Sequence, residues 1–456
     1  MIDCGPWAGD HPCPLLLQYR FPLLRPLVLP DPIANHNSLC VQSSLMTAHR
    51  IVMLVLDGIG DRPCVELDGL TPLQAAKTPV LDRLAAEGIT GIMDTISPGI
   101  RPGSDTSHLS LLGYPPETYY TGRGPLEAEG CGIHMEHGMI GFRANYATLD
   151  DHGLVTDRRA GRIHDTRLLS AVIAEQVDLS AYGVTFSFVS GAGHRAALAL
   201  SGEGLGAGVT SNDPKQEGVA PHPVMAVSTN QKDQKTAAAC NEFILQSTAI
   251  LADHPVNRAR VKAGEPPASV VLIRGAGEMG SFEPFQQRYG LSGAVIAAAT
   301  LITGIGKVVG LKHVPVEGIT GSTNTNLAGK VQALLATLDT HDFVLLNIKG
   351  ADEAGHDGHA IEKRDFIEKI DAALAPLLKR NDCVIAVMGD HSTPCLIKDH
   401  SADPVPVLIW GDGVRVDQVQ AYDEISCATG GLNRIRGADI LWILLDLIDK
   451  THKYGA

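Results

Sequence analysis

The chain has 456 residues, 44% of them hydrophobic and 19% charged, which is typical of a folded protein with two domains. Its formal net charge is −14, without a long run of Lys or Arg, which argues against nucleic acid or an anionic membrane as the main partner. No stretch of 18 uncharged apolar residues is present, so we predict no membrane-spanning helix.

The first 45 residues differ from the rest of the chain. Their apolar segment Leu15–Arg25 is broken by charged residues and proline and lacks a positively charged start, so it is a poor signal peptide. Met46 lies just before the first predicted strand. We therefore expect residues 1–45 to be a disordered extension or the result of a wrongly assigned start codon.

From Arg50 onward, short β-branched runs alternate with helical patterns. This alternation predicts an α/β fold with a mostly parallel sheet flanked by helices. The predicted strands are Ile51–Leu56, Ser269–Ile273, Ala294–Ala298, His313–Val316, Phe343–Ile348, Cys383–Met388 and Pro404–Trp410. The predicted helices are Pro72–Glu87, Thr106–Leu112, Thr300–Gly310, Asn326–Leu338, Ile361–Leu378 and Ala438–Lys450.

The alternating rhythm becomes loose between about residues 125 and 284, where Gly and Arg turns are more frequent. We interpret 125–284 as a smaller α/β domain inserted into the first, with a substrate-binding or lid role. Residues 46–124 and 285–456 would then form the core domain that carries the metal site.

Acidic and histidine side chains cluster at the ends of four apolar strands. In an open parallel sheet, ligands bind beyond the carboxyl ends of the strands, so these clusters should meet in one place. Each cluster alone has an ordinary explanation as a solvated surface feature or a turn cap, but four together favour one or two divalent metals. The clusters are Asp57, Asp352-Glu-Ala-Gly-His356-Asp-Gly-His359, Asp390-His391-Ser392 and His400.

A candidate nucleophile lies in the turn Pro102-Gly-Ser-Asp-Thr-Ser-His108. A hydroxyl that touches a divalent ion loses its proton more readily and becomes a competent nucleophile at neutral pH. The alternative is that Ser104 or Asp105 simply caps the following helix. The spacing alone does not separate Ser104, Thr106 and Ser107.

Four arginines form a candidate anion-binding group: Arg123, Arg158, Arg159 and Arg162. Arginine forks match carboxylate and phosphate oxygens, although isolated arginines usually serve only as surface charges. Three of the four fall within five residues, which favours a substrate-binding role.

Two glycine motifs resemble nucleotide-binding signatures but are incomplete. Gly275-Ala-Gly277-Glu-Met-Gly280 matches GxGxxG, yet the next strand lacks the acidic residue that holds a ribose. Gly304-Ile-Gly306-Lys307 lacks the first glycine and the final Ser or Thr of a P-loop. We therefore do not expect a nicotinamide cofactor.

With these residues assembled, the chain from about Arg50 to the C-terminus resembles the archaeal-type, cofactor-independent phosphoglycerate mutases of the alkaline phosphatase superfamily. The motifs that carry the resemblance are Leu56-Asp-Gly-Ile-Gly-Asp61, Pro102-Gly-Ser-Asp-Thr106, Tyr120-Thr-Gly-Arg-Gly-Pro-Leu-Glu-Ala128, Asp157-Arg-Arg-Ala-Gly-Arg162, Asp352-Glu-Ala-Gly-His-Asp-Gly358 and Gly389-Asp-His-Ser392.

The resemblance implies two divalent ions, usually manganese, with magnesium, cobalt or zinc as alternatives. It assigns one ion to Asp352, His356 and His400. It assigns the other to Asp57, Asp390, His391 and Ser104. Ser104 would be the phosphorylated nucleophile, because the family's serine lies four residues before a histidine, here His108. Arg123, Arg158, Arg159 and Arg162 would line the substrate side.

The implied activity is interconversion of 3-phosphoglycerate and 2-phosphoglycerate in glycolysis and gluconeogenesis, without 2,3-bisphosphoglycerate. The expected partner is therefore a small phosphorylated molecule, with no nucleic acid or membrane. The rival hypotheses are a metal-dependent phosphatase, a homoserine-kinase-like phosphotransferase, and a non-catalytic protein that binds metal and phosphoglycerate. The nine cysteines are scattered and never form CxxC, which predicts reduced thiols in a cytoplasmic protein without a structural zinc site.

Overall fold

The computed structural model describes residues 49–455. The expectation for residues 1–45 lies outside the described residues. Within 49–455, no helix combines the length and the apolar character that crossing a membrane requires.

The described strands form two separate sheets. The strands are β1 (Arg50–Leu56), β2 (Ile89–Asp94), β3 (Ile140–Leu149), β4 (Val155–Asp157), β5 (Thr185–Ser190), β6 (Arg195–Ser201), β7 (Val270–Glu278), β8 (Gly293–Ile296), β9 (Lys312–His313), β10 (Phe343–Ile348), β11 (Cys383–Met388), β12 (Val405–Trp410) and β13 (Asn433–Arg436). The main sheet has the order β13-β2-β12-β11-β1-β10-β8-β9, and β3 to β7 form the second sheet.

Helices connect these strands and cover the sheets. They are α1 (Pro72–Ala75), α2 (Pro79–Ala86), α3 (Ser104–Leu111), α4 (Pro116–Tyr119), α5 (Arg123–Gly130), α6 (Arg167–Gln176), α7 (Gln231–Ala252), α8 (Pro255–Lys262), α9 (Phe285–Tyr289), α10 (Thr300–Val308), α11 (Leu327–Leu338), α12 (Gly350–Asp357), α13 (Ala360–Leu374) and α14 (Gly437–Leu447).

The position of β1 at the centre of the main sheet explains why its sequence is a continuous apolar run. β1 lies between β10 and β11, parallel to both. Along β1, odd-numbered side chains from Ile51 to Val55 pack into one core, and even-numbered ones from Val52 to Leu56 pack into another. Because both faces are covered, all residues of β1 from Ile51 to Leu56 are apolar. The predicted α/β fold with a mostly parallel sheet is confirmed.

β12 runs antiparallel to β11 and to β2. Its first residues therefore lie at the same edge of the sheet as the last residues of its neighbour β11, where Met388 pairs with Val407. This reversal explains how His400, which precedes a strand, reaches the edge that Asp57 and Asp390 reach by following one.

The second sheet is antiparallel, and β3 lies between β6 and β7. Phe142, Ala144 and Tyr146 alternate along β3 and pack into a core beneath this sheet. The five strands fall within residues 140–278. The proposed division of the chain into a core and an insert at 125–284 stays a prediction.

One predicted helix was wrong. The segment Pro72–Glu87 forms two helices, α1 and α2, instead of one. The chain is extended at Ala76, with φ −74° and ψ 146°. A continuous helix is excluded because Pro79 has no N–H to donate to the carbonyl of Ala75 and disfavours helical geometry at Thr78, where φ is −122° and ψ is 57°. The predicted strand His313–Val316 is also shorter than expected, since β9 covers Lys312–His313.

The GxGxxG motif has a packing role. Gly275 and Gly277 lie inside β7, whereas the dinucleotide-binding fingerprint requires these glycines in a turn before a helix. Gly277 lets the start of α5 pack directly on the second sheet, because a Cβ there would lie 2.9 Å from Cα of Gly122. Gly124 on α5 has the same role, since a Cβ added to it would overlap the carbonyl oxygen of Gly141. Because the overlapped atom belongs to the backbone, no flexible side chain can move aside to relieve the clash.

We expect Gly124→Ala to lower the free energy of unfolding by about 1–3 kcal/mol, the usual cost of overpacking. The clash should outweigh the roughly 1 kcal/mol that alanine gains over glycine in a helix. Gly280→Ala is the control, because its Cβ would approach no atom more closely than 3.9 Å. Thermal unfolding of both variants measures the difference, and equal melting temperatures would contradict the close packing.

Candidate metal centre and substrate cavity

The acidic and histidine residues predicted from the strand ends lie at one edge of the main sheet. Asp57 directly follows β1 and Asp390 follows β11, whereas Asp352 lies on α12, the helix after β10. All three carboxylates are buried, with at most 3% of the residue exposed. Such a concentration of buried negative charge requires cations nearby.

One group of side chains surrounds the end of β11. Ligand atoms of Asp57, Asp390 and His391 all lie within 4.8 Å of one another. The Nε2 atom of His391 is 3.2 Å from Oδ2 of Asp390 and 3.8 Å from Oδ1 of Asp57. The hydroxyl of Ser104, at the start of α3, is 3.1 Å from the same nitrogen. The four residues predicted for one ion are therefore brought together.

A second group surrounds Asp352. Its Oδ1 atom is 3.4 Å from Nε2 of His356 and 3.6 Å from Nε2 of His400. Ligand atoms of Asp352, His391 and His400 also lie within 4.8 Å of one another. The three residues predicted for the other ion are thus adjacent, and His391 belongs to both groups.

The three histidines are oriented as metal ligands usually are. His356 donates from Nδ1 to the carbonyl oxygen of Lys398, and His400 donates from Nδ1 to that of Pro102. A carbonyl can only accept, so the proton is on Nδ1 and the lone pair of Nε2 faces the carboxylates. Fixing the tautomer through the outer nitrogen is the common arrangement around bound metals.

For His391, a hydroxyl group fixes the proton on Nδ1. Thr393 donates its Oγ1 proton to Asp352 at 2.7 Å, so Nδ1 of His391, 3.0 Å from that oxygen, must donate to it. Its Nε2 then faces the carboxylates. Burial lowers the pKa of this imidazole, but the charges of Asp390, Asp352 and Asp57 outweigh burial and raise that pKa above its ordinary value. The Oδ2 atom of Asp390 is buried without a hydrogen-bond partner in the described residues 49–455. The donor set and the orphaned oxygen together fit divalent metals.

Lys349 was missed by the sequence analysis. Its Nζ atom is 3.0 Å from Oδ1 of Asp57 and 2.6 Å from Oδ2 of Asp352, so it bridges the two groups. Burial would raise the pKa of Asp352, but Lys349, His391 and His356 together outweigh burial and hold that pKa well below its ordinary value. The signal was present in the sequence, because Lys349 directly follows β10 and the strand-end argument applies to it as well.

The sequence left three hydroxyl residues as candidate nucleophiles, and their contacts in the structure distinguish them. Ser104 contacts His391. Ser107 is fully buried against Thr95, with 3.2 Å between the two hydroxyl oxygens. Thr106 exchanges hydrogen bonds with the backbone of Gly103 at the start of α3. Of the three, Ser104 is the one that lies beside the acidic cluster.

A cavity of about 880 Å³ opens between the two sheets. Lys349, Asp352 and His356 line one side of it. Seven arginines from the described residues line the other side, including all four that the sequence predicted. They are Arg123, Arg143, Arg158, Arg159, Arg162, Arg195 and Arg274.

Arg143, Arg195 and Arg274 were missed because no two of them are close in sequence. Arg143 lies on β3, opposite Arg274 on β7, and Arg195 on β6 lies opposite Asn145. Strand pairing places them on one sheet face. The alternation of Phe142-Arg-Ala-Asn-Tyr146 was the available signal, because it marks one apolar face and one polar face.

The arginine side of the cavity carries excess positive charge. Arg158 and Arg274 share the buried carboxylate of Asp213, with N–O distances of 2.8–3.1 Å. Arg123 donates to Glu127 at 3.0 Å. Burial lowers the pKa of Arg143 to about 10, so its guanidinium remains charged at pH 7. Two carboxylates facing seven arginines leave a net charge that suits an anionic ligand.

His194 also lines this cavity. Burial, followed by the nearby charges of Arg195 and Arg159, lowers the pKa of His194 to about 4. The imidazole is therefore neutral at pH 7 and adds no charge to the cavity.

Comparisons with known proteins agree with this geometry. Residues 49–447 match the family model of the Metalloenzyme superfamily. The chain is 88% identical over 410 residues to the 2,3-bisphosphoglycerate-independent phosphoglycerate mutase of Methanosphaerula palustris, covering 90% of this chain and 100% of that one. It is 66% identical over 411 residues to the enzyme of the same name from Methanoculleus marisnigri, with the same coverages.

A solved structure is also similar. The cofactor-independent phosphoglycerate mutase from Thermoplasma acidophilum is 38% identical, with a TM-score of 0.65, and the match covers 88% of this chain and 100% of that one. The fold and the Asp/His cluster therefore define an α/β metalloenzyme. Within that superfamily, the chain belongs to the family of 2,3-bisphosphoglycerate-independent phosphoglycerate mutases.

We expect His391→Ala to lower the metal content per chain more than His356→Ala does. His391 belongs to both ligand groups, whereas loss of His356 leaves the group of Asp57, Asp390 and His391 intact. Elemental analysis of the purified variants measures the content. His359→Ala is the control, because this exposed histidine pairs with Glu362 outside both groups. Equal metal loss in the His391 and His356 variants would contradict the shared position of His391.

Proposed function

We propose that this chain interconverts 3-phosphoglycerate and 2-phosphoglycerate through a phosphoserine formed at Ser104, without 2,3-bisphosphoglycerate. The observation that carries the proposal is a cavity with Lys349, Asp352 and His356 on one side and seven arginines on the other. Beside it lies the Asp/His cluster in which the hydroxyl of Ser104 contacts His391. Such a cavity suits a ligand with a phosphate at one end and a carboxylate at the other. The reaction would serve glycolysis and gluconeogenesis.

We propose two divalent ions, with manganese as the metal used and magnesium, cobalt or zinc as alternatives. Asp352, His356 and His400 would hold one. Asp57, Asp390, His391 and Ser104 would hold the other. When bound, such ions ease the loss of the hydroxyl proton and neutralise charge on a transferring phosphoryl group.

The transfer itself conserves atoms and charge. The Oγ atom of Ser104 forms a bond to phosphorus and loses its proton, while the bond from phosphorus to the substrate oxygen breaks and that oxygen becomes a hydroxyl. The return step forms the bond to the other hydroxyl of glycerate and restores Ser104. Lys349 lines the cavity between Asp57 and Asp352, and its charge would stabilise the phosphoryl oxygens.

The arginines would hold the glycerate carboxylate while the molecule turns between the two steps. Guanidinium groups bind carboxylates bidentately, which restrains position without fixing a single orientation of the rest of the ligand. We propose that residues 125–284 act as a lid over the cavity, because water that reaches phospho-Ser104 would convert the enzyme into a phosphatase.

We place the reaction in the cytoplasm. The six cysteines within residues 49–455 are free thiols, most of them buried, as is common in a reducing compartment.

The test of the proposed activity uses chelator-treated enzyme. We expect no conversion of 3-phosphoglycerate to 2-phosphoglycerate after exhaustive chelation, and recovery when manganese is added back, with magnesium, cobalt and zinc compared separately. Inorganic phosphate is measured in the same reactions, since stoichiometric release would indicate a phosphatase and ATP dependence would indicate a phosphotransferase. Undiminished turnover in the chelated enzyme would overturn the metal-dependent mechanism.

We expect Ser104→Ala to abolish mutase activity and phosphoserine formation, because the variant lacks the oxygen that accepts the phosphoryl group. Ser107→Ala is the matched control on the same helix, since its hydroxyl contacts Thr95 rather than His391. It should keep most of the activity. Mass spectrometry of enzyme quenched during turnover detects the phosphoserine, and circular dichroism checks the fold. Activity in the Ser104 variant would exclude Ser104 as the nucleophile.

A further inference from the structure

The polar face of the second sheet contains one uncharged amide among its arginines. Asn145 lies on β3, two residues from Arg143 and therefore on the same face. Arg195 lies opposite Asn145 on the neighbouring strand β6. All three side chains line the 880 Å³ cavity. Asn145 thus lies in the centre of the surface proposed to hold the substrate.

The amide of Asn145 is buried and unsatisfied. The residue is 6% exposed, and its Oδ1 atom has no hydrogen-bond partner among residues 49–455. A buried polar group in this state costs about 1–3 kcal/mol. Such groups are rare in native proteins, and each one requires an explanation.

Another buried asparagine shows that the fold satisfies such an amide elsewhere. Asn257 is 3% exposed. Its Nδ2 atom donates to the carbonyl oxygens of Leu251 and Ala268, and its Oδ1 atom accepts from the backbone N–H of Ala268. Among residues 49–455, the other asparagine whose buried Oδ1 has no partner is Asn347, which donates to Asp57 in the acidic cluster. Both unsatisfied amides therefore lie at the candidate site.

The missing partner has a definable chemistry. The neighbours Arg143 and Arg195 carry only donors, yet neither donates to Oδ1 of Asn145, and Nε of Arg143 is itself buried without a hydrogen-bond partner among residues 49–455. A hydroxyl placed between them could donate to the amide oxygen and accept from the guanidinium. Glu127, the carboxylate on this side, already accepts from Arg123 and from Thr300. An uncharged acceptor beside guanidinium groups suits a hydroxyl on an otherwise anionic ligand. Exchange of the amide oxygen and nitrogen leaves this conclusion unchanged, because a hydroxyl both donates and accepts.

We propose that Asn145 hydrogen-bonds the free hydroxyl of phosphoglycerate and is a specificity-determining residue of the reaction. The inference rests on the proposed function. Each isomer of phosphoglycerate has one free hydroxyl, on adjacent carbons in the two isomers. Asn145 would select ligands that carry this hydroxyl, while the arginines select for the negative charges. A site that hydrogen-bonds a substrate hydroxyl discriminates against an analogue that lacks it, because the polar group is then left unpaired.

The test compares 3-phosphoglycerate with 3-(phosphonooxy)propanoate, which lacks the hydroxyl. On the manganese-loaded full-length enzyme, the KM for the first and the inhibition constant for the second are measured for the wild type and for Asn145→Leu. We expect the wild type to favour 3-phosphoglycerate by about tenfold, equivalent to about 1.4 kcal/mol. Asn145→Leu should reduce this preference to less than about twofold, with the inhibition constant of the analogue nearly unchanged.

The melting temperature of the unliganded enzyme gives a second readout. Asn145→Leu should leave it unchanged or raise it, because an unsatisfied amide is replaced by an apolar group of similar size. Asn257→Leu is the matched control. It removes a satisfied amide, so it should lower the melting temperature and keep the wild-type preference between the two ligands. If Asn145→Leu fails to fold, Asn145→Ala is measured by the same two assays.

The outcomes separate this inference from the proposed function. A wild type that does not isomerise 3-phosphoglycerate would overturn the proposed function itself. A wild type that isomerises it, with Asn145 variants that keep the tenfold preference, would overturn only the role of Asn145. A loss of thermal stability in the Asn145 variants equal to that of Asn257→Leu would likewise indicate a structural amide.

Discussion

The mutual repulsion of three buried carboxylates is the constraint on which this structure depends. Asp57, Asp352 and Asp390 approach one another because the strands before them are parallel neighbours in a sheet that is covered on both faces. Unpaired charges in such a position cost several kcal/mol each. Lys349 offsets part of this cost, and the Nε2 atoms of three histidines turned toward the carboxylates complete a site suited to divalent cations.

The two sheets supply opposite charge to one cavity. The main sheet provides an acidic edge, and the second sheet provides a face of arginines. Glu127 connects the two, because it accepts a hydrogen bond from Arg123 on α5 and another from Thr300 at the start of α10. These two hydrogen bonds link α5, which packs on the second sheet, to the start of α10. A ligand with two anionic ends separated by a short carbon chain matches this arrangement.

The sequence allowed the acidic edge and four of the seven cavity arginines to be predicted, but not the three that lie on the strands of the second sheet. The carboxyl ends of the strands in a buried parallel sheet lie at one edge, independently of the rest of the fold. The proximity of Asp57, Asp352 and Asp390 could therefore be predicted from the apolar runs that precede them. Arg195 and Arg274 become neighbours of β3 only through antiparallel pairing, which depends on contacts between segments 50 to 130 residues apart. No local pattern encodes such pairing, so Arg143, Arg195 and Arg274 could not be recognised as neighbours from the sequence. The roles assigned to the individual site residues remain predictions.

The close packing of α5 has a mechanical consequence. On one side, Gly124 lets this helix lie against the backbone of β3, and on the other, Gly130 and Gly304 let it lie against α10. Because α5 contacts backbone atoms on both sides, no side chains separate it from its neighbours, and it is not free to slide along them. Any closing movement of the arginine face would therefore turn about α5 as a pivot. Arg123 lies on α5 and would therefore move least. The cavity would narrow at the end farthest from Arg123.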